Sequence, residues 1–385
     1  MSAPVVRAAV VIRRGASWSS RLAAIGALGA LGACARAPQQ APAAASPATV
    51  AAGAACSFAN PIQRGADPSL AYKDGMYYAV QSRDGGIVVT RSRRLSDVFR
   101  SNPVRVWTPP TADTAWNRAN IWAPQLEWLD GRWYIYYAGG RRQGGPFIHQ
   151  RSGVLEAVGD DPQGAYRDRG QLYTGDDLAG RTNNRWAIDL MVARIGGQLY
   201  AFWSGWQGDA ADDKSQNQNL YAARMADPTR VATSRVRIAA PDQPWEDNPP
   251  STGFDLQEGP EVLQHAGQTF VAYSTRESWL PDYRLGLLRL TDSTRVLDPR
   301  SWAKSAGPVF VRAGDVLGPG HGTFTPSPDG REWWHVYHAK TTASPGWDDR
   351  VIRMQPFTWG PDGAPVLGTP LPAGVPLPLP SGECR

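Results

Sequence analysis

A tight turn followed by an aromatic-rich strand occurs five times along the chain, as in DGMYYAV and DGRWYIYYAG. Asp-Gly or Gly-Gly between apolar runs is typical of a two-residue β-hairpin, because both turn positions need a positive φ. The turn glycines lie 56 to 70 residues apart and are Gly75, Gly131, Gly197, Gly267 and Gly330. A period of this length is too long for one hairpin and indicates a repeated unit of about four strands.

Five such units within residues 56–385 predict an all-β fold, a single five-bladed β-propeller with a funnel-shaped axial site. A β-sandwich would lack the long period, and a parallel α/β fold would need amphipathic helices between its strands. The chain contains 40 glycines, 33 prolines and 16 tryptophans, which also favours short strands and turns over a helical bundle.

Residues 1–34 are predicted to be an export signal, because arginines precede twelve small or apolar residues, too few to cross a bilayer. The stretch ends in Leu-Gly-Ala-Cys, which resembles a lipobox, so we expect acylation of Cys34 and a lipid anchor on the bacterial outer membrane or facing the periplasm. The alternative is ordinary cleavage and secretion. Residues 35–55, rich in alanine and proline, are predicted to be a disordered tether.

The net charge of +5 comes from five arginines in the first 55 residues, since the predicted propeller has equal numbers of basic and acidic residues. A neutral domain does not favour nucleic acid or an anionic membrane as partner. We expect a monomer whose membrane contact is limited to the N-terminal lipid. Cys56 and Cys384 stand at the two ends of the domain, and in an exported protein we expect a disulfide between them. The alternative is that Cys384 lies in a frayed tail.

One position of the repeat predicts a functional site. Counting back eight or nine residues from each turn glycine reaches Asp67, Trp122, Asp189, Glu258 and His321. The strand that enters the turn is the innermost of its blade, so these side chains are predicted to meet at one height around the axis. Each residue alone has an ordinary structural explanation, and only the shared offset favours a common site.

Three carboxylates in one funnel favour cleavage of a glycosidic bond. One carboxylic acid protonates the leaving oxygen, a carboxylate activates water, and a third can keep the acid protonated by raising its pKa. Aromatic rings suit a sugar substrate, so Trp122 and Trp203 are predicted to bind it, and Trp206 and Trp279 are further candidates. Packing within a blade is the alternative for the last three.

Several motifs, in order, resemble glycoside hydrolase family 43, whose members are five-bladed propeller enzymes that act with inversion on arabinan and xylan side chains. The motifs are NPIQRGADPS, WAPQ, AIDL, EGPEVL, GPGHGTF and RVIRMQPFTWGPDGAP. The run from GPGHGTF through WHVYHAK to RMQPF is most similar to the extracellular exo-acting α-L-arabinofuranosidases. Gln125 departs from the glutamate that the family often has after WAP, and we expect altered packing or subsite contacts there, with activity retained.

The resemblance implies a role for each site residue. Asp67 would be the general base, Glu258 the general acid, and Asp189 the residue that orients the acid and tunes its pKa. Arg350 would reach the substrate from the last blade. His321 would help to hold calcium or another ion, mostly through waters, and no organic cofactor is implied.

The function implied is the release of terminal α-L-arabinofuranosyl residues from plant-type arabinan, arabinoxylan or their oligosaccharides. A β-xylosidase or galactofuranosidase with the same machinery stays open. So does a non-catalytic propeller that binds glycans at the cell surface, although binding alone would not need an acid, a base and a modulator.

Overall fold

The structure is a computed structural model that describes residues 56–145, 147–208 and 216–384. The predicted signal, Cys34 and the tether lie outside these residues. Among the described residues, the 3-10 helices Leu95–Arg100 and Pro299–Ser301 accompany the strands. Within the described ranges, no helix has the length and apolar character needed to cross a bilayer.

The chain enters through two short strands, β1 (Ser57–Ala59) and β2 (Gln63–Arg64), and then forms five blades in turn. Blade 1 contains β3 (Ser69–Lys73), β4 (Met76–Arg83), β5 (Gly86–Ser92) and β6 (Val104–Trp107). Blade 2 contains β7 (Ala119–Leu129), β8 (Arg132–Gly140), β9 (Arg151–Ala157) and β10 (Tyr166–Gln171). Blade 3 contains β11 (Ala187–Ile195), β12 (Gln198–Trp206), β13 (Gln218–Asp227), a short β14 (Arg230–Val231) and β15 (Val236–Ala239).

Blade 4 contains β16 (Gln257–His265), β17 (Gln268–Thr275), β18 (Arg284–Leu290) and β19 (Trp302–Lys304). Blade 5 contains β20 (Leu317–Pro326), β21 (Trp333–Lys340) and β22 (Arg350–Trp359), with β23 (Pro365–Val366) paired to β22. The last strand, β24 (Pro376–Pro378), pairs with β1. These blades form a ring, so the predicted five-bladed β-propeller is confirmed.

The two ends of the chain close this ring. Strand β2 pairs with β22 and so supplies the fourth strand of blade 5. Cys56 and Cys384 form a disulfide with a Cα–Cα distance of 5.4 Å, as predicted from their positions. In the chain-entropy account, a cross-link over so long a loop stabilises the fold by about 5 kcal/mol.

The repeated strand is the second of each blade, and it packs between neighbouring blades. In β8, every residue after Arg132 is buried. A strand covered on both faces needs apolar side chains at nearly every position, which explains the aromatic runs. The glycines that precede these strands have φ between 71° and 82°, as the hairpin prediction requires.

This location overturns one predicted substrate contact. Trp203 lies on the second strand of blade 3, has no exposed surface and stacks on Tyr221 with ring centroids 6.1 Å apart. The prediction that Trp203 binds substrate is therefore wrong, because both faces of its strand are covered by protein. Trp206, on the same strand, is also buried and stacks on Trp186 at 4.5 Å.

Candidate active site

The first, innermost strands of the five blades are β3, β7, β11, β16 and β20, and we call the opening at the ends where they begin the mouth. At or just before this end, each strand has a residue in the left-handed backbone conformation. Their φ angles lie between 39° and 57°, and the residues are Asp67, Ala123, Asp189, Gly259 and His321. In β7, β11, β16 and β20 the pairing with the second strand shifts register at this height. A bulge of this kind inserts one residue and re-aims the neighbouring side chains.

Asp67 lies among cationic and imidazole groups at the mouth. Its Oδ1 is 3.2 Å from Nη1 of Arg350 and 3.3 Å from Nδ1 of His321, and its backbone N–H donates to Nδ1 of His338 at 3.1 Å. Burial alone would raise the pKa of Asp67, but Arg350, His321 and His338 outweigh burial and hold that pKa well below its usual range. Asp67 is therefore ionised at neutral pH, the state that a general base needs.

Glu258, on the inner strand of blade 4, has the opposite electrostatic environment. It is buried, and its Oε1 accepts a hydrogen bond of 2.9 Å from the Tyr283 hydroxyl. Burial and the nearby carboxylates of Asp189 and Glu277 raise the pKa of Glu258 well above its usual value. This shift favours the protonated form of Glu258. Two carboxyl groups with pKa values moved in opposite directions are the arrangement that acid and base catalysis needs.

Asp189 connects these two groups. Its Oδ2 accepts a hydrogen bond of 3.0 Å from the backbone N–H of Gly259, the residue after Glu258. The same oxygen lies 4.0 Å from Nδ1 of His321. Burial raises the pKa of Asp189, and the charge of Asp67 adds to the effect. The contact with Gly259 ties Asp189 to the backbone that carries Glu258.

The other predicted residues lie around this cluster. Arg350, at the start of β22 in the last blade, donates to Asp67. Trp122 is partly buried at the mouth, and its ring packs edge-on against Phe147 with centroids 4.7 Å apart. These positions are compatible with contact to a substrate, which stays a prediction for both residues.

His321 is held tightly at the centre of the site. Its backbone N–H donates to Oγ of Ser274 at 2.7 Å, and its Nδ1 faces the carboxylates of Asp67 and Asp189. Calcium prefers six to eight oxygen ligands, whereas the described residues contain no group of three or more acidic, histidine or cysteine side chains arranged around a metal. The calcium assignment therefore stays a prediction.

The sequence model of the family described as "Glycosyl hydrolases family 43" matches residues 58–365. This chain belongs to glycosyl hydrolases family 43. The match covers all five blades and the three carboxylates, and it confirms the resemblance drawn from the motifs.

Relatives of this family 43 protein carry arabinofuranosidase names. An "Extracellular exo-α-(1→5)-L-arabinofuranosidase" of Streptomyces avermitilis is 32% identical over 340 residues, which cover 85% of this chain and 66% of that protein. A protein of the same name from Streptomyces chartreusis is 32% identical over 291 residues, 74% of this chain and 82% of that protein. This chain thus spans just under two thirds of the Streptomyces avermitilis relative.

A solved structure shows the same fold. The crystal structure of an α-L-arabinofuranosidase from Lactobacillus brevis matches with a TM-score of 0.73 and 29% sequence identity. The match covers 83% of this chain and 98% of that one.

Two residues that the sequence analysis missed, Tyr283 and His338, contact Glu258 and Asp67 in this family 43 site. Their rings are nearly parallel, with an interplanar angle of 2° and centroids 5.4 Å apart. Burial lowers the pKa of His338 to about 4, and its Nδ1 lies 3.1 Å from both the backbone N and Oδ1 of Asp67. Because Tyr283 donates to Glu258 and His338 contacts Asp67, the stacked rings link the surroundings of these two carboxyl groups.

Tyr283 precedes β18, outside the repeated strand, so no periodic signal marks it. The glycines of GPGHGTF offered an indirect signal. A Cβ at Gly320 would come within 2.4 Å of the Tyr283 ring, and this glycine therefore leaves the space that the tyrosine fills.

Gln125, the departure from the family pattern, lies in a separate polar cluster. Its amide donates to Glu261 at 2.6 Å, and the other carboxylate oxygen of Glu261 accepts from Thr323 at 2.8 Å. Burial raises the pKa of Glu261 to about 7. A glutamate at position 125 would place two carboxylates against each other, and the amide avoids that repulsion.

Replacing Tyr283 by phenylalanine is expected to lower kcat about tenfold, the effect of one lost hydrogen bond on the acid. The hydrogen bond from Tyr283 lowers the pKa of Glu258, so its removal raises that pKa further. With Glu258 as the predicted general acid, the alkaline limb of the kcat profile is therefore expected to move to higher pH. Rates measured from pH 4 to 10 test the shift. Tyr337→Phe, which removes a buried 3.0 Å hydrogen bond to Gln355, should leave the limb in place.

Gly259→Ala is expected to reduce both activity and stability. A Cβ at Gly259 would lie 2.9 Å from the His321 ring, and the residue has a φ of 57°. Gly267→Ala is the matched control, because its φ is 77° but a Cβ there meets open space among the described residues. Both variants pay a backbone strain of about 1–3 kcal/mol. Only Gly259→Ala should lose turnover when the two are compared well below their Tm, and equal turnover would contradict the prediction.

Proposed function

We propose that this family 43 protein is an inverting glycosidase that releases terminal α-L-arabinofuranosyl residues from arabinan, arabinoxylan or their oligosaccharides. The observation that carries the proposal is the contrast between two carboxyl groups at one mouth. Asp67 contacts Arg350 and His321, which lower its pKa, whereas Glu258 is buried, which raises its pKa. The arabinofuranosidase names of the relatives favour arabinofuranose as the sugar.

The proposed reaction follows from these protonation states. Tyr283 occupies Oε1 of Glu258, which leaves Oε2 to carry the proton toward the glycosidic oxygen. As the bond from the anomeric carbon to that oxygen breaks, its electron pair stays on the oxygen, which takes the proton from Glu258. Asp67 removes a proton from a water that attacks the anomeric carbon from the opposite face, so the configuration inverts.

The remaining groups hold this pair in its working state. Arg350 and His321 keep Asp67 ionised before the water is deprotonated. Asp189 keeps Glu258 protonated through its charge and is tied to the adjacent backbone at Gly259. After one turnover Asp67 carries the proton and Glu258 the charge, so a proton returns through solvent before the next cycle.

A panel of aryl glycosides tests the proposal. The α-L-arabinofuranoside is expected to be cleaved fastest, and proton NMR in the first minutes should show the β anomer of free arabinose. Faster cleavage of the β-xyloside or the galactofuranoside would favour those alternative activities. Saccharide binding without hydrolysis of any substrate would favour a glycan-binding propeller, and an α anomer as first product would contradict inversion.

We also propose that the protein is exported and anchored through Cys34, and that the site takes up a calcium ion near His321. The extracellular names of the relatives support export, and the lipobox-like sequence supports the anchor. Labelling of the wild type with a radioactive fatty acid, but not of Cys34→Ser, is the expected result for the anchor. A lower Tm after dialysis against EGTA, restored by calcium, is the expected result for the ion.

A further inference from the structure

Four aromatic side chains form an arch across the mouth, which we define as Trp122, Phe147, Trp279 and Trp347. Phe147 lies in the β8–β9 connection of blade 2, and its ring centroid is 4.7 Å from Trp122 and 6.3 Å from Trp347. Trp347 lies in the β21–β22 connection of blade 5 and is 6.4 Å from Trp279 of blade 4. Blades 2 and 5 therefore meet through these rings, although blade 1 stands between them.

The short loop of blade 1 makes this contact possible. Blade 1 connects β4 to β5 by the two-residue turn Asp84–Gly85, whereas the equivalent connections of blades 2 and 5 span residues 141–150 and 341–349. The longer loops of blades 2 and 5 therefore extend over the part of the mouth beside blade 1, where the turn is short. Asp67, which precedes β3, belongs to that part of the mouth.

Hydrogen bonds hold the arch in place. Nε1 of Trp347 donates to Oγ of Ser278 at 3.1 Å, and the N–H of Gly346 donates to the carbonyl of Trp279 at 2.9 Å. Nε of Arg350 donates to the carbonyl of Trp347 at 3.2 Å, and the same guanidinium contacts Asp67. Trp347 is nevertheless 47% exposed, so these bonds hold a large apolar ring in solvent at the mouth.

A cavity of about 460 Å³ borders the arch. It lies between the mouth loops of blades 1 and 2 and is lined by Asp84, Thr108, Arg118, Asn120, Trp122 and Gln143. Trp122 thus contacts Phe147 and also forms a wall of the cavity. The aromatic contact borders a space that is large enough to hold sugar rings.

We propose that the arch closes the mouth above the general base, so that only a chain end can enter, and that Trp347 and Phe147 determine this exo action. The inference rests on the proposed function. Because Glu258 protonates the leaving oxygen, the departing chain lies toward blade 4. Sugars on the other side of the cleaved residue would have to pass over blade 1 toward the cavity, where the arch stands. The arch therefore excludes internal residues of a polymer while leaving the terminal residue accessible.

The test uses a linear α-(1→5)-linked arabinan and the double variant Trp347→Ala, Phe147→Ala. The wild type is expected to release arabinose alone, as measured by anion-exchange chromatography of early products. The double variant is expected to have lower turnover but to produce oligosaccharides, with at least a tenfold rise in their share of the products. Trp128→Ala is the matched control, because Trp128 is similarly exposed and lies at the far end of β7 from the mouth. It should release arabinose alone.

Each result separates the inference from the proposed function. Arabinose as sole product of the double variant would overturn the arch as determinant of exo action while leaving the arabinofuranosidase activity intact. Oligosaccharides from the wild type would also overturn it. A wild type that cleaves neither arabinan nor the aryl arabinofuranoside would overturn the proposed function, and the inference with it. If the double variant does not fold, the products of Trp347→Ala alone are measured and interpreted in the same way. This variant should fold, because Trp347 is exposed and its loss leaves no core cavity.

Discussion

Asp67→Asn is expected to lower kcat by roughly 10²–10⁴-fold, the usual contribution of a general base. The amide cannot accept the proton of the attacking water, although Arg350 and His321 remain around it. Because water is deprotonated whatever group leaves, the loss should be similar on aryl arabinofuranosides with good and with poor leaving groups. Initial rates on such a series, at the pH optimum of the wild type, measure the effect.

Asp74→Asn is the matched control for this experiment. Asp74 is an exposed acid in the first hairpin turn of blade 1, and its loss should leave the rate near that of the wild type. A rate for Asp67→Asn close to that of Asp74→Asn would eliminate Asp67 as the base.

Glu258→Gln is expected to give a loss that depends on the leaving group. Hydrolysis of arabinan oligosaccharides should fall by roughly 10²–10⁴-fold, because the leaving sugar oxygen needs a proton. A 2,4-dinitrophenyl arabinofuranoside should lose far less, since its phenolate leaves without one. In the wild type, activity should fall as pH rises through the raised pKa of Glu258. Glu258→Gln should lack this alkaline limb on the activated substrate.

Glu261→Gln distinguishes the two glutamates of EGPEVL. Glu261 is paired with Gln125 and Thr323, so its neutral variant should keep the same rate ratio between activated and natural substrates as the wild type. A leaving-group dependence that appears in Glu261→Gln and is absent in Glu258→Gln would reverse the assignment of the acid.

Much of the architecture was predictable because it repeats. A glycine turn and an aromatic strand at a steady period define the blades, and residues at equal distances from those turns occupy equivalent heights. That reasoning brought Asp67, Asp189 and Glu258 to one mouth and predicted the Cys56–Cys384 disulfide. Counting cannot show which face of a strand is covered, and so Trp203 was predicted at the site although it lies between blades.

The amino-acid order by itself determined the number of blades, the closure of the ring and the identity of the three acids, because these depend on local turn chemistry and a regular period. The tertiary structure alone decided the directions in which the carboxyl pKa values move, the contacts of Tyr283 and His338 and the aromatic arch. These features join loops and strands far apart in the chain. A pKa responds to burial and to charges within a few ångströms, and such distances exist only once the blades have packed.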